Sequence, residues 1–271
     1  MKHIVMFSGG IGSWATAKRV AAEHGTDDLV LLFADVKGHS DTPHIGEDED
    51  TYRFIEDAAA NVGGQLVTVM DGRTIWDVFK DARMLGNSRI AKCSHILKQK
   101  PCRDWLEANC DPSDTVVYVG IDWTETHRVA AIERNYLPYV AKAPLTEAPF
   151  LDKQSMIEWA HDEGLAPPRL YAMGFPHNNC GGGCVRAGQG QFKMLLEQNP
   201  ERFAEWERRE TEIRDYLGKD VAILRDRRGG VTTPLPLTVL RQRAEAEPDT
   251  VDAYDIGGCG CFVEDAELVS A

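Results

Sequence analysis

The sequence predicts an α/β fold: a five-stranded parallel sheet with helices on both faces, followed by a small cysteine-bearing carboxyl-terminal region. Three observations lead there. Short, continuously apolar, β-rich runs alternate with amphipathic stretches through the first half, the pattern of strands buried on both faces. A glycine-rich turn, Ser8-Gly9-Gly10-Ile11-Gly12-Ser13, sits between the first apolar run and the first amphipathic stretch. The alternation stops near residue 150, which divides the chain into an α/β domain over 1–150 and a helical and irregular region over 151–271, with its cysteine clusters packed on that domain.

Taken in order, strands are expected at 3–7 (HIVMF), 29–34, 66–70 and 115–119, with a weaker one at 138–142. Helices are expected over 13–24, 50–62, 74–84 and 97–109 from their apolar periodicity. Beyond Asp152 the pattern predicts a helix at 153–163, a Pro167-Pro168 break and a Gly/Cys-rich loop at 174–190. One long charged helix is expected over 191–217, its apolar residues (Phe192, Leu195, Phe203, Trp206, Ile213) read as ordinary core. A hairpin-like piece at 221–237, a short helix near 237–246 and an acidic tail complete the chain.

A chain of 271 residues suits one large domain, or one domain with an appendage. No apolar run approaches membrane-spanning length, so no membrane partner is expected. The first seven residues read as a strand rather than a signal peptide, which predicts a cytoplasmic location. A net charge of −13 argues against broad charge-driven binding to nucleic acid. Against that background, residues 89–103 carry Arg89, Lys92, Lys98, Lys100 and Arg103 with no acid among them. Such a run is either a solvated helix face or a local anion pocket, and composition leaves both open. Seven cysteines in a cytosolic chain are not a disulfide framework.

The SGGIGS turn can hold an anion. Its glycines let backbone amides approach closely, the following helix adds a partial positive charge, and Ser8 and Ser13 offer hydroxyls. It is neither a Walker-A loop nor a GxGxxG fingerprint. Its place at the carboxyl end of a strand favours a phosphate site over a plain tight turn. Asp35, closing the second strand, is a candidate contact to ribose, base or metal. The acidic knot Glu47-Asp48-Glu49-Asp50 reads first as the amino-terminal charge of the next helix, and second as a cation site.

The turn resembles the PP-loop of the ATP-pyrophosphatase superfamily, SGGxDS, with Gly12 where that form has Asp. Later segments, in order, resemble the phosphoadenosine/adenosine phosphosulfate (PAPS/APS) reductase-like family. Residues 92–101 (KCSHILKQKP) are similar to its Cys-Cys-x-x-x-Lys-x-x-Pro helix, with Lys92 in place of one cysteine. Residues 120–128 (GIDWTETHR) are similar to its Gly-x-Arg-x-x-Glu-Ser-x-x-Arg loop, with Asp122 in place of the first arginine; Arg128 is kept and Arg134 lies nearby. Pro144-Leu145, Trp159 and residues 170–175 track the segment leading to paired cysteines, here Cys180 and Cys184 with three residues between them instead of two. The similarity spans residues 1–188; the family's terminal Glu-Cys-Gly-x-His has no counterpart at 258–262, which lacks both Glu and His.

The resemblance implies an enzyme that binds ATP or an adenylyl sulfonucleotide (APS/PAPS), with a magnesium ion where a pyrophosphate departs. Ser8, Gly9, Gly10, Ile11, Gly12, Ser13, Asp35, Gly120 and Arg134 would contact the nucleotide, and Lys98 and Arg128 would neutralise anionic groups as catalytic cations. It implies sulfur transfer or reduction, a thiol or electron-donor protein as partner and, for the transfer branch, a tRNA or DNA acceptor. Cys93, Cys180, Cys184, Cys259 and Cys261 form a set of soft ligands for a [4Fe–4S] cluster. Zinc is the alternative, and buried cysteines in tight turns are a third reading. Cys102 and Cys110 read as packing residues, and His95 and His127 as candidates for test. A different class also fits: Gly12 and the altered terminus suit a nucleotide-sensing module that kept the loop and lost the chemistry, or a zinc-stabilised adenylating enzyme without sulfur chemistry.

Overall fold

A computed structural model describes residues 1–258, so Cys259 and Cys261 lie outside the described residues. Strands β1 (Lys2–Met6), β2 (Leu29–Asp35), β3 (Gln65–Met70), β4 (Thr115–Val119) and β5 (Val140–Lys142) form one sheet in the order β3-β2-β1-β4-β5. Every neighbouring pair is parallel. The α/β class and the five parallel strands agree with the sequence reading.

The continuous apolar runs are explained by two buried faces. Side chains alternate across a strand, so Val5, Phe7, Leu31 and Phe33 enter one apolar cluster while Ile4, Met6, Leu32 and Ala34 enter another. Helix α1 (Ile11–His24) covers the first face with Trp14, Ala15, Ala17 and Val20, beside Met156 and Ala160 of the helix Lys153–Asp162. Leu106 and Cys102 of the helix Lys100–Asn109 cover the second, joined by Ile132 and Cys110. Helix α2 (Glu49–Val62) is capped by the Asp48 carboxylate and ended by left-handed Gly63; α3 (Ile75–Asp81) opens on a Thr74/Asp77 capping box.

A third cluster joins the two halves of the chain. Val36, Ile45, Trp76, Phe79 and Leu97 pack with Phe175, Phe192, Phe203, Trp206 and Leu237. The hairpin appears as two short antiparallel strands, β6 (Leu224–Asp226) and β7 (Thr233–Leu235).

Two helix assignments change. The expected helix over 191–217 is two helices, Gln189–Gln198 and Pro200–Leu217. Pro200 has no amide hydrogen to continue the first helix, and the Asn199 side chain accepts from Arg202 N–H to start the second. The basic segment begins earlier than 97: a turn at Lys92–Ser94 runs through a π-helical stretch, His95–Gln99, into Lys100–Asn109. Pro101 explains the widening, because in a regular helix its ring would strike the carbonyl of Leu97. Instead the Lys100 N–H reaches back five residues to His95 O. No described helix is long and apolar enough to cross a membrane.

Candidate functional site

The chain runs outward from β1 through β2 to β3, then returns past β1 to β4 and β5. The carboxyl ends of β1 and β4 therefore flank the point where strand order reverses, where open parallel sheets leave a crevice for ligands. A cavity of about 330 Å³ opens there, lined by the SGGIGS turn from β1 and by Gly120 and the following residues from β4. Ser8, Gly10, Ile11, Gly12 and Ser13 line it.

Backbone geometry explains the turn. Ser13 donates its hydroxyl to Gly10 O at 2.8 Å and its amide to the same oxygen at 3.1 Å, closing the first turn of α1. First-turn amides of a helix lack partners within it; here the Ile11 N–H donates to the Tyr171 hydroxyl at 3.1 Å. A Cβ on Gly12 would lie 3.1 Å from Gly120 O, and one on Gly120 would lie 2.9 Å from Gly12 O. Gly12 is thus where two backbones meet, leaving little room for the Asp side chain of the SGGxDS form.

The far wall is cationic. Arg128, largely buried, pairs with Glu125. Lys153, at the start of its helix, reaches the carbonyl of Pro176 and lies 6.0 Å over the Tyr171 ring. His177 lines the same cavity; burial, then the charges of Lys153 and Arg128, push its pKa down to about 4. Asn178 ties this wall to the turn by donating to Gly9 O at 2.8 Å.

A second polar cluster lies behind the turn. The Glu47 side chain is fully buried, accepts Lys98 Nζ at 3.0 Å, and accepts the Cys180 N–H through its other oxygen. The Lys98 side chain is only 6% exposed. Cys180 adopts a left-handed backbone (φ 52), and Gly181 follows at φ 59. A Cβ on Gly181 would fall 2.0 Å from Arg202 Nη1. That buried guanidinium donates to the carbonyls of His44, Gly46 and Glu47 at 3.2–3.3 Å. The Cys180 thiol is hydrogen-bonded to that of Cys184, which together with burial holds its pKa well above the ordinary thiol value, against the pull of Lys98. Cys184 Sγ accepts the Arg186 N–H at 3.5 Å. Cys93 borders the same apolar cluster as both. Among the described residues no group of three or more His, Cys, Asp or Glu is placed to hold a metal ion. Cys180 and Cys184 pair through their thiols, and Cys93 packs against the same apolar cluster.

The sequence-derived candidates therefore separate. Gly120, Arg128 and the turn residues other than Gly9 meet at the cavity; Gly9, Lys98, Asp35 and Arg134 do not line it. Lys98 faces Glu47. Asp35 accepts the Tyr52 hydroxyl at 2.8 Å and the Lys37 amide at 2.9 Å. Arg134 lies exposed in the helix Val129–Tyr136. The basic run 89–103 is dispersed rather than gathered into one pocket: Lys100 pairs with Asp104, and Arg103 donates to the carbonyls of Asn135, Tyr136 and Leu137. In the acidic knot, Asp48 caps α2 as expected and also pairs with Arg169 at 2.8 Å, while Glu47 turns inward. Lys153, Tyr171, His177 and Asn178 were not singled out by sequence. His177 stands two residues beyond the segment 170–175, the signal that would have found it; Lys153 carries no local signal.

No family model and no curated protein matches the chain. Among solved structures the chain is similar to phosphoadenylyl-sulfate (PAPS) reductase from Candida auris, crystallised as a phosphate complex. The identity is 14% and the TM-score 0.43, over 65% of this chain and 79% of that one.

Proposed function

We propose that the protein binds an adenine nucleotide, ATP or an adenylyl sulfonucleotide, in the crevice between β1 and β4 and uses it for sulfur transfer or reduction. The observation that carries the reading is the cavity itself. A glycine-rich helix start faces Arg128, Lys153 and His177 across a space of about 330 Å³ at the strand-order reversal. The first-turn amides of α1 bind phosphate oxygens, with the Tyr171 hydroxyl giving up the Ile11 N–H or sharing it. Arg128 and Lys153 offset the charge that develops on the anionic group at the other wall. Lys98, paired with Glu47, has its place at the cysteine loop instead.

The sulfur part of the reading rests on the thiols. Cys180, Cys184 and Cys93 border one apolar cluster, and an N–H···S bond to Cys184 is of the kind that suits cluster sulfurs. With Cys259 or Cys261 as fourth ligand, these residues would hold a [4Fe–4S] cluster. Such a cluster supplies one-electron chemistry or a binding point for sulfur. A thiol or electron-donor protein is the partner this reading requires, with a tRNA or DNA acceptor if sulfur is transferred.

Protein purified without oxygen is expected to be brown, with stoichiometric iron and sulfide, and to lose both on Cys180→Ser or Cys184→Ser substitution. A colourless protein containing zinc or no metal would remove the cluster. Incubation with ATP should release AMP and pyrophosphate once the acceptor is supplied; incubation with APS or PAPS and a thiol donor should release sulfite. Binding without either product would leave a nucleotide sensor.

A further inference from the structure

The short segment 176–180 is anchored at every second residue. Pro176 O accepts from Lys153, the Asn178 side chain donates to Gly9 O at 2.8 Å, and the Cys180 N–H donates to Glu47. The Asn178 amide has one possible orientation, because a carbonyl such as Gly9 O only accepts. The backbone of His177 is fixed between these anchors, and its side chain lines the cavity. The titratable groups lining the cavity with it are Lys153, Arg128, Glu125, Asp122 and Tyr171. Glu125 is engaged by Arg128, Asp122 accepts the Thr124 amide and hydroxyl, and the Tyr171 hydroxyl takes the Ile11 N–H. Lys153 is held by a neutral carbonyl, which leaves its charge uncancelled.

We propose that His177 makes ligand binding in this cavity proton-coupled, taking up one proton from solvent together with the ligand's anionic group and donating a hydrogen bond to it. The inference rests on the nucleotide reading and adds a specificity-determining residue to it. Burial, and then the charges of Lys153 and Arg128, disfavour the imidazolium in this cavity, so the imidazole stays neutral. An anion set between Lys153, Arg128 and His177 favours the imidazolium and raises the imidazole's proton affinity. The ligand class follows: a group that is anionic in the bound state gains a third cation, whereas an uncharged nucleoside gains nothing from it. Because the proton affinity rises on binding, protons are taken up between the free and bound pKa values. Ligand affinity falls as pH rises through that window.

The test is calorimetric titration of the full chain with ATP, with adenosine as the uncharged control, between about pH 5.5 and 8 in buffers of different ionisation heat. Wild type is expected to take up protons with ATP, its affinity falling by up to about tenfold per pH unit. His177→Gln should show no uptake and a flat profile, meeting wild type at high pH; Lys153→Met should weaken binding throughout. ATP binding without proton uptake, or equal uptake in His177→Gln, overturns the proposal and leaves the nucleotide reading intact. No ATP binding at any pH overturns both. Should His177→Gln fail to fold, histidine ring resonances of wild type answer instead: one low-pKa histidine should shift upward on adding ATP, and none shifting overturns the proposal.

Discussion

The loop 176–184 joins two regions that handle charge in opposite ways. At one end, in the cavity, Lys153 rests on a carbonyl oxygen, Arg128 on a single glutamate, and the neighbouring imidazole is held neutral by burial and by the charges of those two cations. At the other end, Lys98 is as buried as any lysine in the chain and already has its counter-charge in Glu47, whose second oxygen is taken by the Cys180 amide. A cation awaiting a ligand and a cation completing a fold look alike in sequence; they differ in what faces them. The cavity is arranged to receive an anion, and the Glu47–Lys98 pair to fix the cysteine loop.

The largest expected effect breaks the second region. Lys98→Met leaves a buried carboxylate without its partner and should cost about 3–5 kcal/mol in a denaturant titration. The double substitution Glu47→Gln, Lys98→Met should recover much of that, because the amide oxygen still accepts the Cys180 N–H. A loss below about 1 kcal/mol, the scale of a surface pair, would place Lys98 among the ligand-facing cations after all.

Gly181→Ala comes next. It combines a left-handed backbone with a Cβ driven into the Arg202 guanidinium, so a loss of more than about 2 kcal/mol is expected by the same measurement. The touching thiols of Cys180 and Cys184 should then react faster with an alkylating reagent.

Lys153→Met sharpens the other side of the comparison. Its stability should stay within about 0.5 kcal/mol of wild type. Its ATP affinity should fall about 10- to 100-fold, the range of one charge-assisted hydrogen bond. Equal loss of stability and affinity would make it a structural residue like Lys98.

The smallest effect is in pH. With its folded pKa depressed to about 4, His177 favours the native state while neutral. That contribution is present above the unfolded value of about 6.5 and is lost as pH falls toward 4. The thermal midpoint of ligand-free protein should drop across that interval, and His177→Gln should reduce the drop.

Much of this was legible in the sequence. Apolar runs gave every strand of the sheet within one or two residues, β1 and β2 because both of their faces are buried, and the SGGIGS turn was found because local chemistry makes a helix start of that kind. Gly12 was visible as a departure, but its reason, the close approach of Gly120, arises from β1 and β4 being neighbours although paired residues lie 113 positions apart in the chain (Met6 beside Val119 and Ile4 beside Val117). The same limit hid Lys153 and His177, each brought to the wall by tertiary packing. It also hid the inward turn of Glu47: four acids around a helix start look equivalent until one meets a buried lysine from a π-widened turn. The single long helix over 191–217 failed for a local reason that was readable, Asn199-Pro200, and periodicity outweighed it.

Amide hydrogen exchange with and without ATP tests the central claim most directly. Slowed exchange is expected at Ile11, Gly12 and Ser13 and at residues 177–179, with segment 92–100 unchanged. Protection confined to 92–100, or none at the SGGIGS turn under saturating ATP, would contradict a nucleotide site between β1 and β4.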